Sequence, residues 1–211
     1  YLVNPSNCTL RVSLKMVIRK LVFFDFETNG LSSQGYSEHP TQLCFIACNA
    51  GGKVIEIYDK LIVGCNELSP WVMENCPHVT MEKLQKEGVS IRSAWKSLLS
   101  HAGPDTVYVA HNLSFDWNIV VKYSKELLVD KGMKLLELQP RLCTKEISTN
   151  LCKLPKTGKS RWFAGSRWKW PTLEELAQKL DVEITGALHD ALTDVRVLKA
   201  CFFAARERGW W

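Results

Sequence analysis

The segment at residues 21–27 constrains the fold more than any other part of the chain. It reads Leu-Val-Phe-Phe-Asp-Phe-Glu, so both alternating faces of a strand formed here are apolar apart from the two acids. A strand with two apolar faces must be covered on both sides, which favours the middle of a sheet. The turn signal Thr28-Asn29-Gly30 ends the segment. The sequence therefore predicts a central buried strand with two acids near its end.

Strands and helices alternate along the rest of the chain. Apolar, β-prone runs predict further strands over residues 41–48, 53–63 and 106–110, and a hairpin joins the first two. Helical periodicity covers residues 70–88, 90–102, 114–129 and 190–208, and a capping box at Thr172 and Glu175 starts one more helix that ends near Leu180. This order predicts an α/β domain with a mixed β-sheet flanked by helices. A length of 211 residues suits one domain, which we expect over residues 20–211 after an N-terminal extension at 1–19.

The two acids of the first strand occupy positions that a core would give to apolar groups. Residues at i and i+2 of a strand share a face, so Asp25 and Glu27 project together. Two like charges on a buried strand repel each other, and desolvation disfavours both, whereas a divalent cation between them removes that penalty. The alternative is that the strand end emerges into solvent and the acids are its polar terminus.

Two more acids lie on the apolar faces of predicted helices. Asp116 shares a helical stripe with Ile119, Val120, Tyr123 and Leu127, and Asp194 shares one with Leu198, Cys201 and Ala205. Helix capping is an alternative explanation for either acid alone, because an acid in the first turn is favoured by the helix dipole. If all four acids converge, their oxygen ligands suit Mg²⁺ or Mn²⁺ and not zinc.

A histidine precedes the last of these acids by five positions. On one continuous helix, His189 and Asp194 would point about 140° apart, since the helical repeat is roughly 3.6 residues. The two side chains can serve one site only if His189 lies in the loop that enters the helix or at its first residue. Gly186 and Ala187 upstream permit a mobile approach of that loop.

Charge, cysteine content and hydropathy limit the binding partners, metal sites and cellular location that the sequence can support. The formal net charge of +5 is compatible with a polyanionic partner. The spacing of Cys44 with Cys48 and of Cys76 with His78 would suit zinc, but no second pair follows at the required distance, so we expect the 8 cysteines to be mostly buried, reduced thiols. No apolar run reaches the roughly 20 residues of a membrane helix, and no signal peptide is recognisable at the start. We expect an intracellular protein, cytoplasmic or nuclear, that is not secreted and has no membrane partner.

Three segments together resemble the exonuclease motifs of the DEDDh (DnaQ-like) family, which includes the epsilon subunit of bacterial DNA polymerase III and ribonuclease T. They are residues 24–31, Phe-Asp-Phe-Glu-Thr-Asn-Gly-Leu, residues 111–116, His-Asn-Leu-Ser-Phe-Asp, and residues 189–195, His-Asp-Ala-Leu-Thr-Asp-Val. The third segment has the form of the histidine branch of the family. The resemblance implies a ribonuclease H-like fold and a 3′–5′ exonuclease that hydrolyses a nucleic-acid strand with two Mg²⁺ or Mn²⁺ ions.

The resemblance also implies roles for individual residues. Asp25, Glu27 and Asp194 would hold the ion that binds the attacking water, Asp25 and Asp116 would hold the second ion, and His189 would be the general base. The substrate-binding residues would be Thr28, Asn29, Gly30 and Leu31 at the terminal nucleotide, with His111, Asn112 and Phe115 in the second motif. We expect DNA with a single-stranded or frayed 3′ end as the substrate and nucleoside 5′-monophosphates as products.

Several alternatives remain open from the sequence. RNA could replace DNA as the substrate, because the metals contact the phosphate and ignore the sugar, and a non-catalytic nucleic-acid-binding domain or an endonuclease of related fold are further alternatives. Residues 153–170 combine six basic residues with Trp162, Phe163, Trp168 and Trp170 and contain no acid. We interpret this segment as a substrate flap in which bases stack on aromatic rings, against the alternative of an ordinary connecting loop.

Overall fold

The strand predicted at the centre is the middle strand of the sheet. We describe a computed structural model over residues 18–127, 136–157 and 167–211, and within these ranges it contains one sheet of five strands in the order β3-β2-β1-β4-β5. The strands are β1 (Lys20–Thr28), β2 (Pro40–Asn49), β3 (Val54–Leu61), β4 (Thr106–Ala110) and β5 (Arg141–Cys143). β1 pairs antiparallel with β2 and parallel with β4, and β4 pairs parallel with β5. The predicted mixed sheet is confirmed.

Helices cover both faces of this sheet. They are α1 (Pro70–Asn75), α2 (Met81–Glu87), α3 (Ile91–Leu99), α4 (Leu113–Leu127), α5 (Thr144–Cys152), α6 (Leu173–Lys179) and α7 (Ala191–Glu207). Phe24 belongs to a buried cluster that includes Trp95 of α3 and Val120 of α4. Phe23, on the opposite face, packs with Phe202 of α7. The alternating apolar residues of β1 therefore contribute to two cores, one on each side of the sheet. No helix in the described ranges is long and apolar enough to cross a membrane.

One helical prediction was wrong. Residues 70–88 form two short helices, α1 and α2, separated by a turn at Cys76-Pro77-His78. Pro77 explains the break, because proline disfavours helical geometry at the residue before it and has no N–H to donate. The hydroxyl of Thr80 then accepts the N–H of Lys83 and starts α2. The turn brings Cys76 and His78 toward the end of β1 that carries the acids.

The remaining elements follow the sequence with small differences. The capping box at Thr172 and Glu175 is present, with both reciprocal hydrogen bonds. β5 and α5 were not predicted, because a strand of three residues is too short to show a period. Residues 1–17, 128–135 and 158–166 lie outside the described residues. The end of the predicted helix at 129, most of the predicted N-terminal extension and the middle of the predicted flap fall there.

Candidate active site

Three carboxylates meet at the end of β1. Asp25 and Glu27 project from the same face of the strand, and Asp194 comes from the first turn of α7, which packs on that face through Leu198 and Phe202. One carboxylate oxygen of each acid lies within 4.8 Å of the others. The two acids of the strand and the acid of the last helix, predicted separately, therefore form one cluster.

The fourth acid lies beside this cluster and is fixed by β1 itself. Asp116, in the first turn of α4, is 2% exposed, and its Oδ1 accepts the backbone N–H of Phe26 at 3.2 Å. Phe26 lies between Asp25 and Glu27, so the hydrogen bond ties the helix to the strand at the site. Ile119, Val120 and Tyr123 on the same stripe of α4 are buried, as the helical pattern predicted.

The electrostatics of the cluster are unfavourable for four ionised carboxylates. Burial raises the pKa of Glu27 and of Asp116 to about 8 and that of Asp194 to about 6. It raises the pKa of Asp25 well above its usual range, and the charges of Asp116, Glu27 and Asp194 raise it further. Desolvated like charges held together destabilise the ionised forms. A cation between the carboxylates would reverse this effect.

The carboxylate oxygens of the cluster suit a hard divalent cation. Oδ1 of Asp194 is buried and has no hydrogen-bond partner within the described part of the chain, while its Oδ2 accepts the N–H of His189 at 3.3 Å. A buried carboxylate oxygen without a donor needs another positive partner. Asp25, Glu27 and Asp194 supply oxygen ligands alone, which suits Mg²⁺ or Mn²⁺.

His189 lies outside the helix, in the position that the five-residue spacing required. Its backbone has a φ of 66°, and α7 begins after it with Asp190 as the N-cap residue, whose carboxylate accepts the N–H of Thr193. The His189 side chain is exposed. Its ring contacts Trp71 of α1 edge to face, with centroids 5.1 Å apart. The imidazole is thereby held near Asp194 by backbone geometry and by an aromatic neighbour.

A cavity of about 260 Å³ opens next to the carboxylates. Of the residues predicted to bind substrate, Thr28, Gly30, Leu31 and Phe115 line it, together with Glu27. Gly30 has a φ of 146°, and a Cβ there would lie 2.6 Å from the ring of Tyr36, so only glycine fits this wall. Phe26 of the first motif lines it as well, and further lining comes from residues that the motifs do not contain, which are Gln34, Ser69, Trp71 and Val72.

Three other residues predicted to bind substrate make contacts within the protein. The side chain of Asn29 is 3% exposed, and its Oδ1 accepts the N–H of His39. Both ring nitrogens of His111 are engaged, Nδ1 with the Thr144 hydroxyl at 3.0 Å and Nε2 with the Pro171 carbonyl at 3.0 Å. Asn112 has a φ of 72°, and its Oδ1 accepts the ammonium of Lys145. These contacts hold the first and second motifs in position within the protein.

Three residues at the site were not singled out as site residues from the sequence. Trp71 follows the helix-start signal Ser69-Pro70, which predicted a helix but gave no sign of its closeness to His189. The Cys76 thiol donates to Oε2 of Glu27 at 3.8 Å, and burial raises its pKa to about 12, so it stays protonated and remains a donor. Lys145, in the first turn of α5, contacts the second motif.

A hydrogen-bonded network also supports the His189 loop. His78 Nε2 lies 2.9 Å from Oε1 of Gln42, and Nε2 of Gln42 donates to Asp59 and, at 3.4 Å, to Asp190. These side chains line a second cavity of about 740 Å³, which His189 also borders. The network therefore fixes the N-cap residue of α7, immediately after His189.

A sequence model of the RNase T family, described as exonuclease, matches residues 22–202 and so covers most of the chain. No curated protein matches the sequence significantly.

Solved structures of exonuclease I share the fold. One of them was reported with a suggestion of how processivity is achieved. It matches this chain with a TM-score of 0.69 and 17% sequence identity, and the match covers 90% of this chain and 41% of the exonuclease I chain. E. coli exonuclease I in complex with a dA16 oligonucleotide has a TM-score of 0.67 at 18% identity, with coverage of 90% and 41%. A product-bound exonuclease I has a TM-score of 0.67 at 18% identity, and the match covers 90% of this chain and 43% of the exonuclease I chain. The chain thus spans about two fifths of the exonuclease I chains.

Proposed function

Because the chain belongs to the RNase T family of DEDDh-type 3′–5′ exonucleases, we propose that it removes nucleotides one at a time from the 3′ end of a DNA strand, single-stranded or frayed. The products would be nucleoside 5′-monophosphates and a strand that is shorter by one nucleotide. We propose an intracellular setting, which suits the free thiols of the described residues, and an exonuclease domain over residues 20–211.

The observation that carries the proposal is the group of carboxylates at the end of β1. One carboxylate oxygen each of Asp25, Glu27 and Asp194 lies within 4.8 Å of the others, and a buried oxygen of Asp194 has no donor among the described residues. A domain that only binds nucleic acid gains nothing from buried carboxylates that face a polyanion. A hydrolase gains a place for metal ions at the scissile phosphate.

The cofactors we propose are two Mg²⁺ or Mn²⁺ ions. Asp25, Glu27 and Asp194 would hold one ion, and Asp25 with Asp116 would hold the other. Ions bound in this way activate water and stabilise the attacking and leaving oxygens of an in-line displacement. Cys76 and the N–H of Phe26 would orient Glu27 and Asp116 through the hydrogen bonds that they donate.

His189 would take the proton of the attacking water. The water oxygen forms a bond to phosphorus, and the bond from phosphorus to the 3′ oxygen of the preceding nucleotide breaks. That oxygen takes a proton from solvent water, and the imidazolium of His189 returns its proton to solvent. An imidazole nitrogen can accept a proton and release it again, which suits this task. The N–H of His189 donates to Asp194, so the loop that presents the base is tied to a proposed metal ligand.

The terminal nucleoside would occupy the cavity of about 260 Å³ beside Glu27. Leu31, Phe115 and Trp71 give the cavity apolar walls for a base, and backbone groups at Thr28 and Gly30, which also line it, would contact the 3′ hydroxyl. DNA is our preferred substrate because the exonuclease I structures of the same fold include complexes with deoxyoligonucleotides.

The test is time-resolved digestion of 5′-labelled strands of one sequence. Single-stranded DNA, duplex DNA and RNA are each incubated with Mg²⁺, Mn²⁺ or EDTA. We expect a ladder that shortens from the 3′ end of the single-stranded DNA, metal dependence, and resistance of a strand with a 3′ phosphate. Faster digestion of RNA would reassign the substrate.

Two other outcomes would contradict the proposal as a whole. Rapid internal cuts in a circular single strand would indicate an endonuclease. Binding of the strands without hydrolysis under any metal condition would indicate a non-catalytic domain. The variant Asp194→Asn serves as the control for a contaminating nuclease, because it removes a proposed metal ligand.

A further inference from the structure

The described end of the basic and aromatic segment lies against the second motif. Trp170 is 48% exposed, and the ammonium of Lys145 lies over its ring, 4.6 Å from the centroid. The neighbouring carbonyl of Pro171 interacts with Nε2 of His111. The end of residues 153–170 is therefore attached to the same sheet edge that carries the carboxylates.

Lys145 connects this aromatic ring to the site. It lies in the first turn of α5, directly after β5, and donates to Oδ1 of Asn112 in the second motif. An ammonium group has three donors, so the bond to Asn112 does not exhaust it.

The negative charge of the site explains why a substrate strand would need a nearby cation and an exposed aromatic ring. A substrate strand is a polyanion that must pass a group of carboxylates, and only its terminal phosphate would be compensated by metal ions. The next phosphates need positive groups close to the site, and unpaired bases are held by stacking on aromatic rings. Lys145 and Trp170 supply both groups side by side.

We propose that Lys145 and Trp170 form a subsite for the unpaired strand upstream of the scissile bond. The ring of Trp170 stacks on a base, and the ammonium of Lys145 contacts a backbone phosphate. This inference rests on the proposed function and adds to it the residues that select a strand over a single nucleotide.

The test compares substrates with and without an upstream strand. Oligothymidylates of increasing length contain the strand, whereas the p-nitrophenyl ester of thymidine 5′-monophosphate presents one nucleotide alone. Trp170→Ala should raise KM for the longer oligonucleotides roughly 5- to 150-fold, the range of one lost base stack, and leave kcat and the turnover of the ester unchanged. Trp170→Phe should restore most of the affinity, because it keeps a ring.

Lys145→Gln tests the phosphate contact separately. Glutamine can still donate to Asn112, so the fold is kept while the charge is lost. We expect the slope of log affinity against log salt to decrease by about 0.7, the value for one phosphate contact in a single strand. Lys53→Gln, an exposed lysine in the hairpin between β2 and β3, is the matched control and should leave the slope unchanged.

The binding measurements are repeated in an Asp194→Asn background, where strand affinity does not depend on turnover. Unchanged affinity and salt slope in Trp170→Ala and Lys145→Gln would overturn the subsite. Equal losses with the ester and with the oligonucleotides would overturn it as well, because they would indicate damage to the catalytic end. If no strand is hydrolysed by the unmodified protein, the proposed function fails, and the binding data still decide the subsite.

Discussion

The rings of Trp71 and His189 meet edge to face, with centroids 5.1 Å apart and planes at 80°. Trp71 belongs to α1 and lines the cavity beside Glu27, whereas His189 precedes α7 at the far end of the sequence. The contact connects the proposed pocket of the terminal nucleotide with the proposed general base. We therefore expect occupation of the pocket and orientation of the imidazole to be coupled through the side chain of Trp71.

Trp71→Ala should lower kcat by roughly 2- to 10-fold, because an aromatic pair contributes about 0.5–1.5 kcal/mol and its loss frees the ring of His189. KM should rise as well, since the cavity loses a wall. Trp71→Phe should retain most of the activity. Met73→Ala, an exposed residue on the same helix, is the control. Steady-state kinetics on a single-stranded oligonucleotide measures both constants, and equal kcat in all variants would contradict the coupling.

His189→Ala should reduce the rate by roughly 10²–10⁴-fold, the usual contribution of a general base. Strand affinity should be largely kept, because His189 is exposed and the proposed metal ligands are untouched. Single-turnover kinetics with a parallel binding assay separates the two effects. A variant with full activity would remove His189 from the mechanism.

Asp194→Asn should abolish turnover and leave the fold intact. The amide oxygen can still accept the N–H of His189, but the charge that would bind the metal is gone. The melting temperature of the variant checks that the fold is intact, and digestion of labelled DNA checks that turnover is abolished. Asp105→Asn, an acid paired with Arg19 at the opposite end of β1, should behave like the unmodified protein. Full activity of Asp194→Asn would refute the metal assignment.

The stability of the metal-free protein should fall as the pH rises from about 4 to 8. Burial holds the pKa of Glu27 and Asp116 at about 8 in the fold, above the values of an unfolded chain. The folded state therefore keeps protons that the unfolded state releases, and this contribution is present at low pH and lost through pH 8.

Metal should reverse this loss. At pH 8, Mg²⁺ at about 100 times its Kd should raise the melting temperature by roughly 5–10 °C, and EDTA should remove the gain. Thermal unfolding with and without metal across this pH range measures both effects. A melting temperature that does not respond to Mg²⁺ or Mn²⁺ would count against the metal site.

His111→Ala should destabilise the protein by about 1–3 kcal/mol, because the Thr144 hydroxyl and the Pro171 carbonyl lose their partner. Burial lowers the pKa of His111 to about 4, so the fold prefers the neutral ring. The stabilisation that the neutral His111 ring provides is fully present above the usual histidine pKa near 6.5. It is lost as the pH falls from there through about 4. The difference in unfolding free energy between the two proteins should shrink over this window. A constant difference would argue against the neutral ring.

Much of the architecture could be predicted because it depends on local pattern. The two apolar faces of residues 21–27 predicted a central strand, and the i, i+2 spacing placed Asp25 and Glu27 on one face. The helical stripes of Asp116 and Asp194 run along buried faces, and the spacing of His189 from Asp194 required a loop before α7. Each of these depends on the fixed repeat of a strand or a helix, which a sequence displays directly.

The tertiary structure decided which distant segments meet. The fold places Trp71 against His189, the Cys76 thiol on Glu27, and Lys145 between Asn112 and Trp170. It also turns His111 and Asn29 toward the protein and fixes Asp116 on the backbone of β1. These contacts join residues that are far apart in the chain, and no local period encodes them. They arise from the packing of helices on a twisted sheet and from the break at Pro77, so only the folded chain determines them.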